Sequence, residues 1–259
     1  MNKLLKITSV LSLAVITALS SCKKKEDPVI IVDPPPPAGS VHMEFFNKVG
    51  TDMLVLNNIQ YKNQHGDTFN VTKFNYFITN IKLNNADGSQ HVEAESYHLV
   101  KQSDPASMKF DIAEVPNGTY KSVTFMIGVD SARNTDGAQT GALDVNNDMY
   151  WGWITGYIMV KMEGKSSSSA QADSLLQFHV GGFSGVNSAL RTVTLTFPQD
   201  MVINGNEQHM HVTANLLKMF GDVNVIDFSA LYAIHMPGAN VKKIADNYQQ
   251  MFSVTAVGE

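Results

Sequence analysis

The chain has 259 residues, 44% of them apolar and 17% charged, with a formal net charge of −5. That balance carries no basic footprint for nucleic acid, so no nucleic-acid partner is expected. The single cysteine, Cys22, excludes a disulfide framework, and if it is lipidated any metal is left to histidine, methionine, carboxylates or modified aromatics.

In chain order, Lys3 and Lys6 precede an apolar core from Ile7 to Leu19 that is too short to span a bilayer and reads as a secretory signal. Leu19, Ser20, Ser21 and Cys22 resemble a bacterial lipobox, in which a small pair before the cysteine suits cleavage and acylation. Residues 1–21 are therefore expected to be a lipoprotein signal peptide, and Cys22 the attachment point to outer-membrane lipid. Several acyl chains would make that attachment persistent, because a single chain binds only marginally. Residues 22–40, with KKKED and a proline run ending at Pro37, read as an extended tether that buries no apolar surface. The expected location is the cell envelope, facing either the periplasm or the cell surface.

Residues 41–259 read as one domain dominated by strand signals. Alternation sends Val41, Met43 and Phe45 to one face and His42, Glu44 and Phe46 to the other. Val123, Phe125, Ile127 and Val129 repeat the pattern, as do Val193, Leu195 and Phe197. Turn pairs such as Asp87-Gly88 and Asn204-Gly205 punctuate these runs. After Pro237-Gly238, the residues Val241, Ile244, Ala245, Tyr248, Met251 and Phe252 recur at helical spacing. The sum is an all-β fold, an antiparallel β-sandwich with one or two short helices near the C-terminus.

The segment from Gly128 to Gly164 joins a polar loop to a strand and holds both tryptophans. Asp144, Asn146 and Asp148 spell D-x-N-x-D, which invites a calcium reading together with Asp130. The EF-hand pattern fails, since Met149 stands where glycine is needed and Thr155 where the bidentate glutamate belongs. Asx-turn bonding is the alternative for the same residues. Trp151 and Trp153 share a strand face, as core or interface anchors or as redox-active indoles beside a metal.

Histidine is the guide to a transition metal. His209 and His211, two apart on a strand, share a face and could hold a divalent or cuprous ion if a third ligand arrives from a neighbouring strand, or else form a solvated pair. His42, with Glu44 on its face, is a candidate third ligand. His179, followed by Val180, Gly181 and Gly182, reads as an end-of-strand ligand or a hydrogen-bonding clamp. His65, His91, His98 and His235 read as loop or surface residues. No G-x-S-x-G elbow, H-E-x-x-H, P-loop or dinucleotide fingerprint is present, and a non-catalytic protein is expected.

Four ordered blocks carry a family resemblance: GVDSARNTDGAQTGALD from Gly128, MYWGWITGYIMVKMEG from Met149, FHVGGF from Phe178 and IADNYQQMFSV from Ile244. Together they resemble the MbnP-like lipoproteins, particularly those of Bacteroidetes-type bacteria, over nearly the whole chain after the tether. The resemblance implies an envelope copper-binding protein in which a tryptophan, here Trp151 or Trp153, is oxidised to kynurenine by a partner dihaem peroxidase-like protein. It makes copper the expected metal of His179, His209, His211 and His42. Some members place a histidine two positions from the modified tryptophan; this chain has Met149, Trp151, Trp153 and Thr155 at those positions. The competing reading is an envelope binding or scaffold lipoprotein without a transition metal, whose loop Asp130, Asp144, Asn146 and Asp148 holds calcium or contacts a partner.

Overall fold

The computed structural model describes residues 37–152 and 155–258. Cys22, the signal-like segment, most of the tether and Trp153 lie outside the described residues. The chain runs β1 (Gly39–Val49), β2 (Asp52–Met53), β3 (Tyr61–Lys62), β4 (Thr68–Asn85), β5 (Gln90–Val92) and β6 (Tyr97–Lys101). It continues through β7 (Lys109–Val115), β8 (Gly118–Ile127), α1 (Ser131–Asn134), β9 (Tyr150–Gly152) and β10 (Gly156–Ser166). Then follow β11 (Leu175–Gly181), β12 (Arg191–Ile203), β13 (Glu207–Asn215), β14 (Ala233–Ile234), α2 (Ala239–Tyr248) and β15 (Phe252–Gly258).

These strands build two sheets. The smaller has the order β15-β13-β1-β2, with β7 also on β1; the larger runs β12-β8-β4-β10-β11-β14, with β3, β5 and β6 on β4 and β9 on β10. Alternation holds where it was expected: Val41, Met43 and Phe45 are buried, while His42, Glu44 and Phe46 stay partly open. The inner faces meet through aromatic rings. Phe252 of β15 lies 6.4 Å from Phe45 in its own sheet, and 5.4 Å from both Tyr76 and Phe125 in the other.

Two pairings depart from the antiparallel expectation. β1 runs parallel to β13, matching His42 to His209 and Glu44 to His211, and β11 runs parallel to β14. Neither pair is a hairpin, so strand direction is set by long connections and by which edge is free to receive the strand. The C-terminal helix also stops earlier than its apolar spacing suggests. Val241, Ile244, Ala245 and Tyr248 are buried on α2, but Phe252 opens β15 and pairs with Ala214, so sheet hydrogen bonds claim that backbone.

The loop between β8 and β9 lies over the outer face of the larger sheet. Asp130 caps α1 by accepting from the Ala132 and Arg133 amides, and also accepts from the Tyr97 hydroxyl at 2.6 Å. Burial, then Asp130, pushes the Tyr97 phenol up to about 12. The Tyr157 hydroxyl donates to the Leu143 carbonyl at 2.6 Å, and buried Asn134 donates to the Val129 carbonyl while accepting from the Tyr157 amide at 2.8 Å. A loop rich in Asx and glycine is thus fastened down by its own side chains.

Phe252 fills the centre of the inter-sheet aromatic cluster, so Phe252→Ala is expected to lower stability by about 3–5 kcal/mol. The check is the urea midpoint at constant slope; a loss under 1 kcal/mol would mean that the two sheets do not depend on this contact.

Candidate metal centre on the larger sheet

A cross-strand row crosses the outer face of the larger sheet. Lys101 of β6 is matched to Asn75 of β4, Asn75 to Lys161 of β10, and Lys161 to His179 of β11. Because Phe178 is matched to Ile234, the residue that follows on each strand extends the row to His235. The rings of His179 and His235 stand edge to face with centroids 5.4 Å apart.

Charges beside these rings are closely organised. Glu163 Oε1 lies 2.8 Å from His179 Nε2, and this hydrogen bond, aided by Lys73, holds the Glu163 carboxyl below the usual range. Lys161, whose side chain is 4% exposed, donates to the Asp148 carbonyl at 2.6 Å and pairs with its carboxylate at 2.8 Å. Lys73 reaches the same carboxylate at 2.8 Å. Burial works against the Asp148 charge, but the two ammonium groups outweigh it and leave its carboxyl below normal. Burial, then the neighbouring His179, keeps the His235 imidazole below its ordinary value of 6.5. That favours the neutral ring, the form that ligates metals.

Trp151 reaches the same face. A Cβ placed on Gly181 would lie 2.8 Å from Trp151 Cζ3, so the indole rests directly on the β11 backbone where only glycine admits it. Gly181 follows His179 by two positions and shares its face, which sets the indole roughly 7 Å along the strand from the imidazole. The tryptophan and FHVGGF blocks, remote in sequence, form one patch.

The expected ligand set does not assemble as one site. His42 and His209 come together on the smaller sheet with ring centroids 5.2 Å apart, and His211 sits in the next row opposite Glu44. His179 belongs to the outer face of the other sheet, because β1, β13 and β11 each turn their apolar residues toward the shared core and these histidines away from it. The histidine that His179 does meet is His235, exposed as its loop position suggests and brought near by the β11–β14 pairing.

The oxygens read as a cation loop are likewise engaged separately. Asp144 accepts from the Asn146 amide at 2.8 Å and from its side chain at 2.8 Å, which is the Asx-turn alternative. Asp148 turns toward Lys73 and Lys161, and Asp130 is spent on α1, Asn80 and Tyr97. Among the described residues, donor atoms of three groups lie within 4.8 Å of one another only at His65, Asp67 and Asp227. There Asp67 Oδ2 already accepts from Asn63, from the Phe228 amide and from His65, while Oδ1 accepts from Ser168. Burial opposes the Asp67 charge and these bonds prevail, so the carboxylate acts as a knot joining three segments of chain. A surface cavity of about 400 Å³ lies elsewhere, lined by Glu95, Tyr97, Arg133, Gln139 and Leu143. Its cation is already taken, since Arg133 pairs with Glu95 and Asp136 and lies over the Tyr97 ring.

Comparison with known proteins agrees with the fold. The family model for MbnP matches residues 38–237. The solved structure of MbnP from Methylosinus trichosporium is similar at a TM-score of 0.52 and 11% identity, over 85% of this chain and 98% of that one. At that identity the likeness speaks for the fold. No curated protein matches the chain in sequence.

The Glu163–His179 contact contributes stability that is fully present above the unfolded carboxyl value, near 4.5, and is lost as pH falls through the lower folded value. Glu163→Gln is therefore expected to cost about 1–2 kcal/mol at pH 7, with a difference from wild type that shrinks toward pH 3. Urea unfolding at both pH values measures it; a pH-independent difference would contradict the assigned pairing.

Proposed function

The chain belongs to the MbnP family, and on that premise we propose that it is a non-catalytic, lipid-anchored envelope protein that binds copper between His179 and His235, beside Trp151. One observation carries the reading: the imidazoles of His179 on β11 and of His235, the residue just past β14, stand 5.4 Å apart beside the indole that rests on Gly181. Two rings bound to one ion at about 2 Å, with tetrahedral to trigonal angles, have centroids about 5 Å apart, so the spacing fits a shared metal. With His179 Nε2 engaged by Glu163, its Nδ1 is the edge left for the ion, in the carboxylate–histidine arrangement that orients metal ligands. Imidazole donors and a family with copper-related function both favour a soft to borderline ion over calcium.

Under this reading Trp151 is the indole to be oxidised to kynurenine by a dihaem peroxidase-like partner, giving the copper an amine or ketone ligand. Acylated Cys22 and the tether that follows it hold the domain at the outer membrane.

The test is cuprous-ion binding by the mature protein. One tightly held equivalent is expected, weakened at least tenfold by His179→Ala or His235→Ala and roughly 10–100-fold by Glu163→Gln. Because the ligands must be neutral, affinity should fall as pH drops, with His235 staying neutral to below the ordinary imidazole value. Peptide mass mapping after expression with the native neighbouring proteins should place an oxidative modification at Trp151. Cuprous ion retained undiminished by the His179→Ala, His235→Ala double variant would overturn the assignment.

A further inference from the structure

The opposite side of the molecule has a different charge arrangement. On the outer face of the smaller sheet the register sets Asp111 of β7, His42 of β1 and His209 of β13 in one row, and Glu44 and His211 in the next. The side chains of His42, His209 and His211 are 25%, 47% and 40% exposed. Asp111 Oδ1 lies 2.6 Å from His42 Nδ1, Glu207 lies 3.7 Å from His209, and Glu44 lies 4.0 Å from His211. Among the described residues, no lysine or arginine forms an ion pair with any of these three carboxylates; their only such partners are the imidazoles. Lys109 of β7 is matched to Glu44, so with histidine counted as neutral Asp111 and Glu207 are the two carboxylates of the patch that have only imidazole ion partners. The larger sheet differs, since there Asp148 and Glu163 face Lys73 and Lys161.

The geometry within the patch is that of a metal site's first two ligands. Asp111 holds His42 by Nδ1 and leaves its Nε2 edge open, so the carboxylate orients the imidazole as it does for metal-ligating histidines. The His42 and His209 rings lie 5.2 Å apart at 60°. Two imidazoles bound tetrahedrally to one zinc-sized ion at about 2.0–2.1 Å have centroids at about 5 Å, so little movement separates the pair as it stands from a bridged one. Both residues project from a hydrogen-bonded pair of strands, which fixes their spacing. Among the described residues no third histidine, cysteine or carboxylate ligand atom lies within 4.8 Å of both, so water would fill the remaining positions.

We propose that His42 and His209, oriented by Asp111, form a second metal site that takes a borderline divalent ion of the zinc class. Hard ions such as calcium are disfavoured, because only oxygen-rich cages hold them well and the two fixed donors here are nitrogens. The site is independent of the copper reading, since it lies on another sheet and uses none of the same residues.

Zinc titration of the mature protein carrying His179→Ala and His235→Ala tests it, because the first site is then removed. One equivalent of zinc should bind, with the His42 and His209 imidazole resonances shifting together. Adding His42→Ala or His209→Ala should weaken binding at least tenfold, Asp111→Asn by roughly 10–100-fold, and His65→Ala should leave it unchanged. Failure to bind zinc, or binding insensitive to both His42→Ala and His209→Ala, overturns the proposal. A protein with His179 and His235 intact that binds zinc but no cuprous ion would refute only the copper reading.

Discussion

The arrangement of the candidate copper centre depends on one buried ammonium group. Lys161 sits beneath the loop joining β8 to β9 and spends its protons on the Asp148 carbonyl and carboxylate. A charge so little exposed is costly without close partners, and the partner here belongs to the loop. Asp148 adopts a left-handed backbone, with φ of 60°, just before β9. The ion pair therefore fixes where the loop ends and so where Trp151 begins its course across β11. Gly181 completes the constraint by offering no side chain where the indole must lie.

Each sheet carries one pair of outward imidazoles, yet the two pairs meet charge differently. On the larger sheet, lysines neutralise the carboxylates, and the imidazole pair stands at the edge of a balanced network. Affinity there must come from the donors themselves, which suits an ion that bonds nitrogen strongly. On the smaller sheet Asp111 and Glu207 pair only with imidazoles, which favours a divalent cation beside them, while Lys109 is matched to Glu44. Two imidazole pairs with nearly equal ring separations are thus set in different electrostatic surroundings.

Much of the framework was legible in the chain. Alternation at Val41 to Phe46 and at Val123 to Val129 identified strands and their buried faces, because side-chain period follows directly from backbone geometry. The Asp144 to Asn146 turn was foreseen for a similar reason, since an Asx side chain bonds backbone two residues away whatever the remainder does. Phe252 was misassigned to the helix, because apolar spacing reports which residues are buried but not whether β13 will claim their backbone.

The candidate site shows the same division. Residue types and local pattern determined that His42, His179, His209 and His211 point away from the core and that Trp151 follows a polar loop. Which imidazoles meet was decided by tertiary structure alone. The parallel pairings β1 with β13 and β11 with β14 join residues that no local rule relates, matching His42 to His209 and bringing His235 to His179. Strand order reflects the competition among all edges of two sheets for partners, and that is a property of the assembled fold, not of any stretch of sequence.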